Sequence, residues 1–208
     1  MIISPKFGYA YVSVMKTGTN SMYELLRQHY SGEKVGVKFH CRDTKFIQPE
    51  WYVFKTARNP FTRAVSIWSS TCFRDGGKDD RYGFRYMCKS NGFNPDDFAQ
   101  FMTCAVKVLS GELSQPNKFH RGLLVTQTEW LRRMNITFDA VVHTETMCRD
   151  FNQLPFVKKP IAKKYFPKSN QSQKQDYRKY YTRKVFELVQ QWGAEDFKQR
   201  GYDSTKLP

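Results

Sequence analysis

The chain reads as α/β, a single domain over residues 1–208 with a central parallel sheet flanked by helices and a phosphate-loop-like turn near its start. Three observations predict this. Apolar, β-rich runs at residues 9–14, 34–40 and 51–57 alternate with segments whose apolar residues recur at helical spacing, the pattern of βαβ units. A content of 40% hydrophobic and 16% aromatic residues over 208 positions can bury a sizeable core and excludes a disordered chain. The first apolar run passes into Lys16 and a cluster of small polar residues, then into the helical Met22-Tyr23-Glu24-Leu25-Leu26.

Taken in order, residues 9–14 are the first strand, and the helix after them is expected to end near Tyr30-Ser31-Gly32. Residues 34–40 alternate and predict a second strand. Residues 51–57 predict a third, running into a helix with Pro60 in its first turn and an apolar face of Phe61, Ala64, Val65 and Trp68. Residues 72–94 are polar and charged and read as a long loop insertion. A helix capped by Asn94, with Pro95 first and Asp96 and Asp97 in its first turn, would bury Phe98, Phe101, Met102, Ala105 and Val108. Residues 123–131 and a strand at 138–143 complete the core. A last helix, capped by Thr182, carries Val185, Leu188, Val189 and Trp192 and stops near Gly201.

The net charge is +15, so the surface attracts anions. Residues 156–184 concentrate it, with eight Lys and two Arg against Asp176 alone. No stretch approaches the roughly 18 consecutive apolar residues of a membrane span, and the first residues lack a signal-peptide pattern, so a cytoplasmic location is expected. Five cysteines without a C-x-x-C pair favour free thiols over a disulfide framework or a zinc site, with a Cys72–Cys88 bridge across the polar insertion as the alternative. No His/Cys/Asp constellation implies a metal.

Ligands of parallel sheets bind beyond the carboxyl ends of the strands, where Lys16, His40 and Arg58 are expected on one edge. At the first junction, backbone N–H groups and the helix dipole can hold a phosphate or sulfate. Gly18 permits close approach, Thr17, Thr19 and Ser21 carry hydroxyls, Asn20 lies among them, and Lys16 adds a full charge. It is not a Walker loop, because Lys16 precedes Gly18.

With Arg58-x-Pro60-x-x-Arg63-x-x-Ser66-x-Trp68, this loop resembles the two cofactor signatures of the sulfotransferases that use 3′-phosphoadenosine 5′-phosphosulfate (PAPS). That family's first signature is commonly P-K-[TS]-G-[TS]-[TS], matched here by Met15-Lys16-Thr17-Gly18-Thr19-Asn20, with Met15 for the usual proline. Its second is R-[DN]-P-x-x-R-x-x-S-x-[YW]. Gln127-Thr128-Glu129-Trp130-Leu131, and Tyr180-Tyr181-Thr182 with Asp196-Phe197 and Gly201-Tyr202, are similar to segments of the carbohydrate branch. The resemblance implies a sulfotransferase fold and a 5′-phosphosulfate on Lys16, Thr17, Gly18, Thr19, Asn20 and Ser21. It implies a 3′-phosphate on Arg58 and Ser66, and a basic cover that includes Lys168, Ser172 and Lys174. The reaction would move a sulfuryl group to a small-molecule or glycan hydroxyl, most simply a saccharide and one that can itself be anionic, leaving adenosine 3′,5′-bisphosphate (PAP). No nucleic-acid partner is expected.

Such a transfer depends on in-line positioning and on neutralising the leaving oxygen, a task that suits Lys16. The attacking hydroxyl also needs a base. His40, between the two nucleotide loops in sequence, is where some glycan sulfotransferases carry a catalytic histidine; Glu24, Glu50 and Glu145 are reserves. His143 reads as a strand residue near the core. Two competing readings are a nucleotide kinase on a related phosphate loop, and a non-catalytic module binding polyanions or nucleic acid.

Overall fold

In a computed structural model of the chain, residues 1–36, 40–73, 83–114, 122–132, 134–167 and 176–208 are described, and their strands lie in one mixed sheet flanked by helices. The described residues divide into two units, residues 1–58 with 131–171 and residues 59–130 with 172–208.

The first unit holds the whole sheet. Its strands are β1 (Ile2–Ser4), β2 (Tyr9–Val12), β3 (Glu33–Lys34), β4 (Tyr52–Ala57) and β5 (Ala140–His143), in the order β3-β1-β2-β4-β5. Only β2, β4 and β5 run parallel; β1 pairs antiparallel with both β2 and β3. The all-parallel sheet expected from the sequence is therefore corrected. A short hairpin, turning through Gly8 at φ 61°, adds an antiparallel edge ahead of the βαβ pattern. The strand predicted at 34–40 is likewise corrected to the pair Glu33–Lys34, while residues 37–39 lie outside the described residues.

Strand β2 is buried at all four positions, as expected for a strand with core on both faces. Tyr9 stacks on Phe156 at 4.4 Å and Tyr11 lies 5.2 Å from Phe54. Helix α1 (Thr19–His29) adds Met22, Leu25 and Leu26 to this cluster, at i, i+3 and i+4. Each such side chain contributes roughly 1.5–3 kcal/mol by leaving water. This packing fixes the β2-to-α1 junction from both sides.

The second unit is helical in its described residues. Helix α2 (Pro60–Cys72) starts as predicted, with Asn59 accepting from the Phe61 N–H at 2.9 Å. Part of the expected 72–94 loop is instead helix α3 (Phe84–Ser90), which buries Phe84, Met87 and Cys88 on one face; residues 74–82 lie outside the described residues. Helix α4 (Phe98–Ser110) begins later than predicted, because Asp97 rather than Asn94 accepts the N–H groups of Ala99 and Gln100. Its predicted apolar face is buried in full. After the short helix α5 (Gln127–Arg132), α6 (Met147–Phe151) belongs to the first unit.

The single terminal helix is corrected to two, α7 (Arg183–Trp192) and α8 (Ala194–Arg200). Gly193 separates them where a Cβ would come 2.7 Å from the Cβ of Pro60, so only glycine allows this approach to α2. All five cysteines are free thiols.

Candidate functional site

The parallel strands bring three chain exits to one edge. Val12 of β2, Ala57 of β4 and His143 of β5 each end at the carboxyl side of the sheet, with Ala57 directly opposite His143. The Lys16 loop, Arg58 and the turn after His143 therefore emerge together within the first unit.

The loop after β2 has an unusual backbone. Lys16 has φ 67° and Gly18 has φ 81°, so two left-handed residues bracket Thr17. Lysine in this region is strained, and such strain concentrates at ligand clamps. The left-handed φ of Gly18 disfavours any other residue there, and a Cβ would also displace Cε of Met147, 2.6 Å from its position. Gly18 precedes α1 without any side-chain cap, and the first turn holds no acidic residue. The N–H groups of Thr19, Asn20 and Ser21, which have no acceptor within the helix, thus face the loop together with the positive end of the helix dipole.

The threonines serve this geometry from below. The Thr17 hydroxyl donates to the Val14 carbonyl at 2.8 Å and meets Thr56 Oγ1 at 2.6 Å, and Tyr11 Oη closes the chain on Thr56 at 2.9 Å. Thr19 also donates to the Val14 carbonyl, at 2.9 Å. Thr17 and Thr19 are buried, so what they offer a ligand is backbone N–H, with the hydroxyls holding the loop shut against the sheet. Asn20 is exposed at the helix start, and Ser21 is buried.

His40 reaches the same loop. Its Nδ1 lies 3.0 Å from Ser13 Oγ, at the strand end of the loop. Burial pushes its pKa down to about 4, and the charge of Lys16 acts in the same direction. The imidazole is therefore neutral at pH 7. Arg58 follows β4 and is half-buried. Ser66 lies half-buried on α2, in the second unit. Lys168, Ser172 and Lys174 lie outside the described residues. Of the reserve carboxylates, Glu24 is half-buried on α1, and Glu50 and Glu145 are exposed.

Arg63, the second arginine of the Arg58 motif, is fully buried; it donates to the carbonyls of Val125 at 3.0 Å and Leu123 at 3.4 Å. Its role is to bind the second unit together. The same unit contains a cavity of about 270 Å³ lined by Gln190, Ala194, Phe197, Lys198, Tyr202 and Ser204, none of them a predicted site residue.

The sequence reading missed the group beside Gly18. Thr144 donates its hydroxyl to the Ala57 carbonyl at 2.9 Å, and its methyl group would lie 3.7 Å from a Cβ on Gly18. One residue earlier, His143 Nδ1 lies 2.9 Å from Oδ2 of the buried Asp150. The available signal was position: a histidine ending a strand beside β4 stands on the ligand edge rather than inside the core. Compared with models of protein families, with curated proteins and with solved structures, the chain has no match. Among the described residues no cluster could hold a metal ion, and no helix is long and apolar enough to cross a membrane.

Proposed function

We propose that the chain is a sulfotransferase that moves a sulfuryl group from PAPS to a hydroxyl acceptor, releasing PAP. The observation that carries this reading is the β2-to-α1 loop. A left-handed Lys16 and Gly18 lead into the uncapped start of an eleven-residue helix, on an edge shared with Arg58. That arrangement suits an anion held by backbone N–H groups, with one mobile cation beside it. The motif order in the sequence supports a nucleotide carrying phosphates at both its 5′ and 3′ positions, with the 5′-phosphosulfate at the loop and the 3′-phosphate at Arg58.

In this reading the loop amides and Lys16 meet the charge that builds on the phosphate oxygen as the sulfur leaves it. Such preorganised donors act where charge develops and need no reorganisation during the reaction. The hydroxyl must lose a proton as it attacks, and His40, held on Ser13, is the candidate base that the sequence resemblance offers for that step. The basic surface favours an acceptor that carries negative charge, and a saccharide hydroxyl is the class to which the sequence points. No metal is needed in this scheme.

The test is transfer of label from sulfur-labelled PAPS to a panel of neutral and acidic saccharides. Label should appear on at least one of them, and the Lys16→Ala variant should be slower on the order of 100-fold, comparable with removing one preorganised donor. A variant as fast as the wild type would take Lys16 out of the reaction.

A further inference from the structure

Two imidazoles belong to the elements that meet at this loop, and they are held differently. His40 approaches from the Ser13 side, with its ring nitrogen on a hydroxyl. His143 ends β5, directly opposite Ala57, and the residues just after it pack against Gly18 through Thr144 and Met147. Its Nδ1 rests 2.9 Å from Oδ2 of Asp150, whose side chain is only 8% exposed while that of His143 is 29% exposed.

Asp150 is held in turn. It accepts the His143 backbone N–H at 2.9 Å, the Thr146 hydroxyl at 2.8 Å and Nε of Arg149 at 3.0 Å. Burial pushes its carboxyl up, but these donors outweigh that and hold it below the usual carboxylate range. An ionised carboxylate only accepts, so in the neutral form of the ring it favours the tautomer with the proton on Nδ1 and the lone pair on Nε2. A histidine oriented by a buried carboxylate on one nitrogen is the arrangement of a proton acceptor: the partner fixes the tautomer and stabilises the imidazolium once it forms. At His40, burial opposes a charged ring and the charge of Lys16 acts in the same direction.

We propose that the His143–Asp150 pair takes the proton of the attacking hydroxyl, an inference that rests on reading the Gly18 loop as the PAPS site. The acceptor oxygen forms a bond to sulfur as the sulfur–oxygen bond to the 5′-phosphate breaks. The electron pair of that bond goes to the phosphate oxygen, beside Lys16, and PAP departs. The hydroxyl proton passes to Nε2 of His143, and the imidazolium is held against Asp150. His143 is then the catalytic residue and Asp150 the residue that positions it.

The experiment compares the wild-type chain with His143→Gln, Asp150→Asn and His40→Gln. Three quantities are measured for each: melting temperature, affinity for PAP, and steady-state sulfate release from PAPS with water as acceptor, whose proton must also be taken. His143→Gln should melt near the wild type, bind PAP within about twofold, keep its KM for PAPS and lose on the order of 100-fold in kcat, as removal of a general base does. Its loss should exceed that of His40→Gln. Asp150→Asn should shift kcat in the same direction; where its melting temperature falls, His143→Gln carries the conclusion. Unchanged sulfate release in His143→Gln, a larger loss in His40→Gln, or a fall in PAP affinity matching the fall in kcat would each overturn the assignment. The last would reduce the pair to a support for the loop. A wild-type chain that does not bind PAP would overturn the donor-site reading first, and the pair's role with it.

Discussion

Replacing Lys16 separates two properties that the loop combines in one residue. Its backbone sits at φ 67°, where an L-residue is disfavoured by roughly 1–2 kcal/mol. Lys16→Gly removes that strain but adds freedom to the unfolded chain worth about 0.4–1 kcal/mol, so the net change runs from about zero to about 1.5 kcal/mol in favour of folding. For a chain of this length that is a rise in melting temperature of up to about 6 °C. Lys16→Ala keeps the Cβ and the strain, and should melt within about 2 °C of the wild type. Both variants lose a charged donor worth about 1.5–3 kcal/mol to a phosphate, which weakens PAP binding roughly 10- to 150-fold. Thermal denaturation without ligand and calorimetry with PAP read the two effects separately. A glycine variant less stable than the alanine variant would refute the strain argument, and wild-type affinity in either would refute the binding role.

Two further outcomes follow from the same geometry. His40 takes up its proton near pH 6.5 when unfolded but only near pH 4 when folded, so the unfolded state binds more protons between those values and stability falls as pH falls through that window. The loss is on the order of 1–3 kcal/mol; His40→Gln should lose less than the wild type between pH 7 and pH 4.5 in urea denaturation, and equal losses would contradict the burial of this ring. In the second unit, the fully buried Asp196 accepts the N–H groups of Gln127 and Thr128, each at 2.8 Å, and faces Arg200 at 3.7 Å. Asp196→Asn should destabilise by about 3 kcal/mol by leaving Arg200 buried without its counter-charge, measurable as a shift of the urea midpoint; a change under about 1 kcal/mol would contradict that reading.

The junction that matters most was legible because several local signals coincide there. The β-rich run, Gly18 and the i, i+3, i+4 spacing of Met22, Leu25 and Leu26 all change at one place, and packing agrees with them. Pro60 and the helical spacing of Phe61, Ala64, Val65 and Trp68 placed the start of α2 for the same reason. What was not legible depended on distant partners. Strand β1 is three residues long, next to Pro5, and exists because it pairs with β2 on one side and β3 on the other. Helix α3 sits inside a polar run and is revealed only by the burial of Phe84, Met87 and Cys88. Gly193 breaks the last helix because Pro60, far away in sequence, comes close.

At the site, residue types were readable but side-chain directions were not. Thr17 looks like a ligand hydroxyl in a loop of small polar residues, yet Thr56 and Val14 draw it inward. Arg63 shares a motif with Arg58 and is buried against carbonyls. His143 and Asp150 are seven residues apart, one ending a strand and the other inside helix α6, so no periodic pattern links them. Only the turn between those elements brings the two together.

The claim on which the rest depends is that this edge of the sheet binds a nucleotide with phosphates at both its 5′ and 3′ positions. Calorimetric titration with PAP, beside ATP, for the wild type and Arg58→Ala tests it most directly. The account predicts saturable binding that prefers PAP over ATP and weakens roughly 10- to 150-fold in the variant, the range for one charged hydrogen bond to phosphate. Equal binding of both nucleotides, or an Arg58→Ala variant that binds PAP as the wild type does, would contradict it.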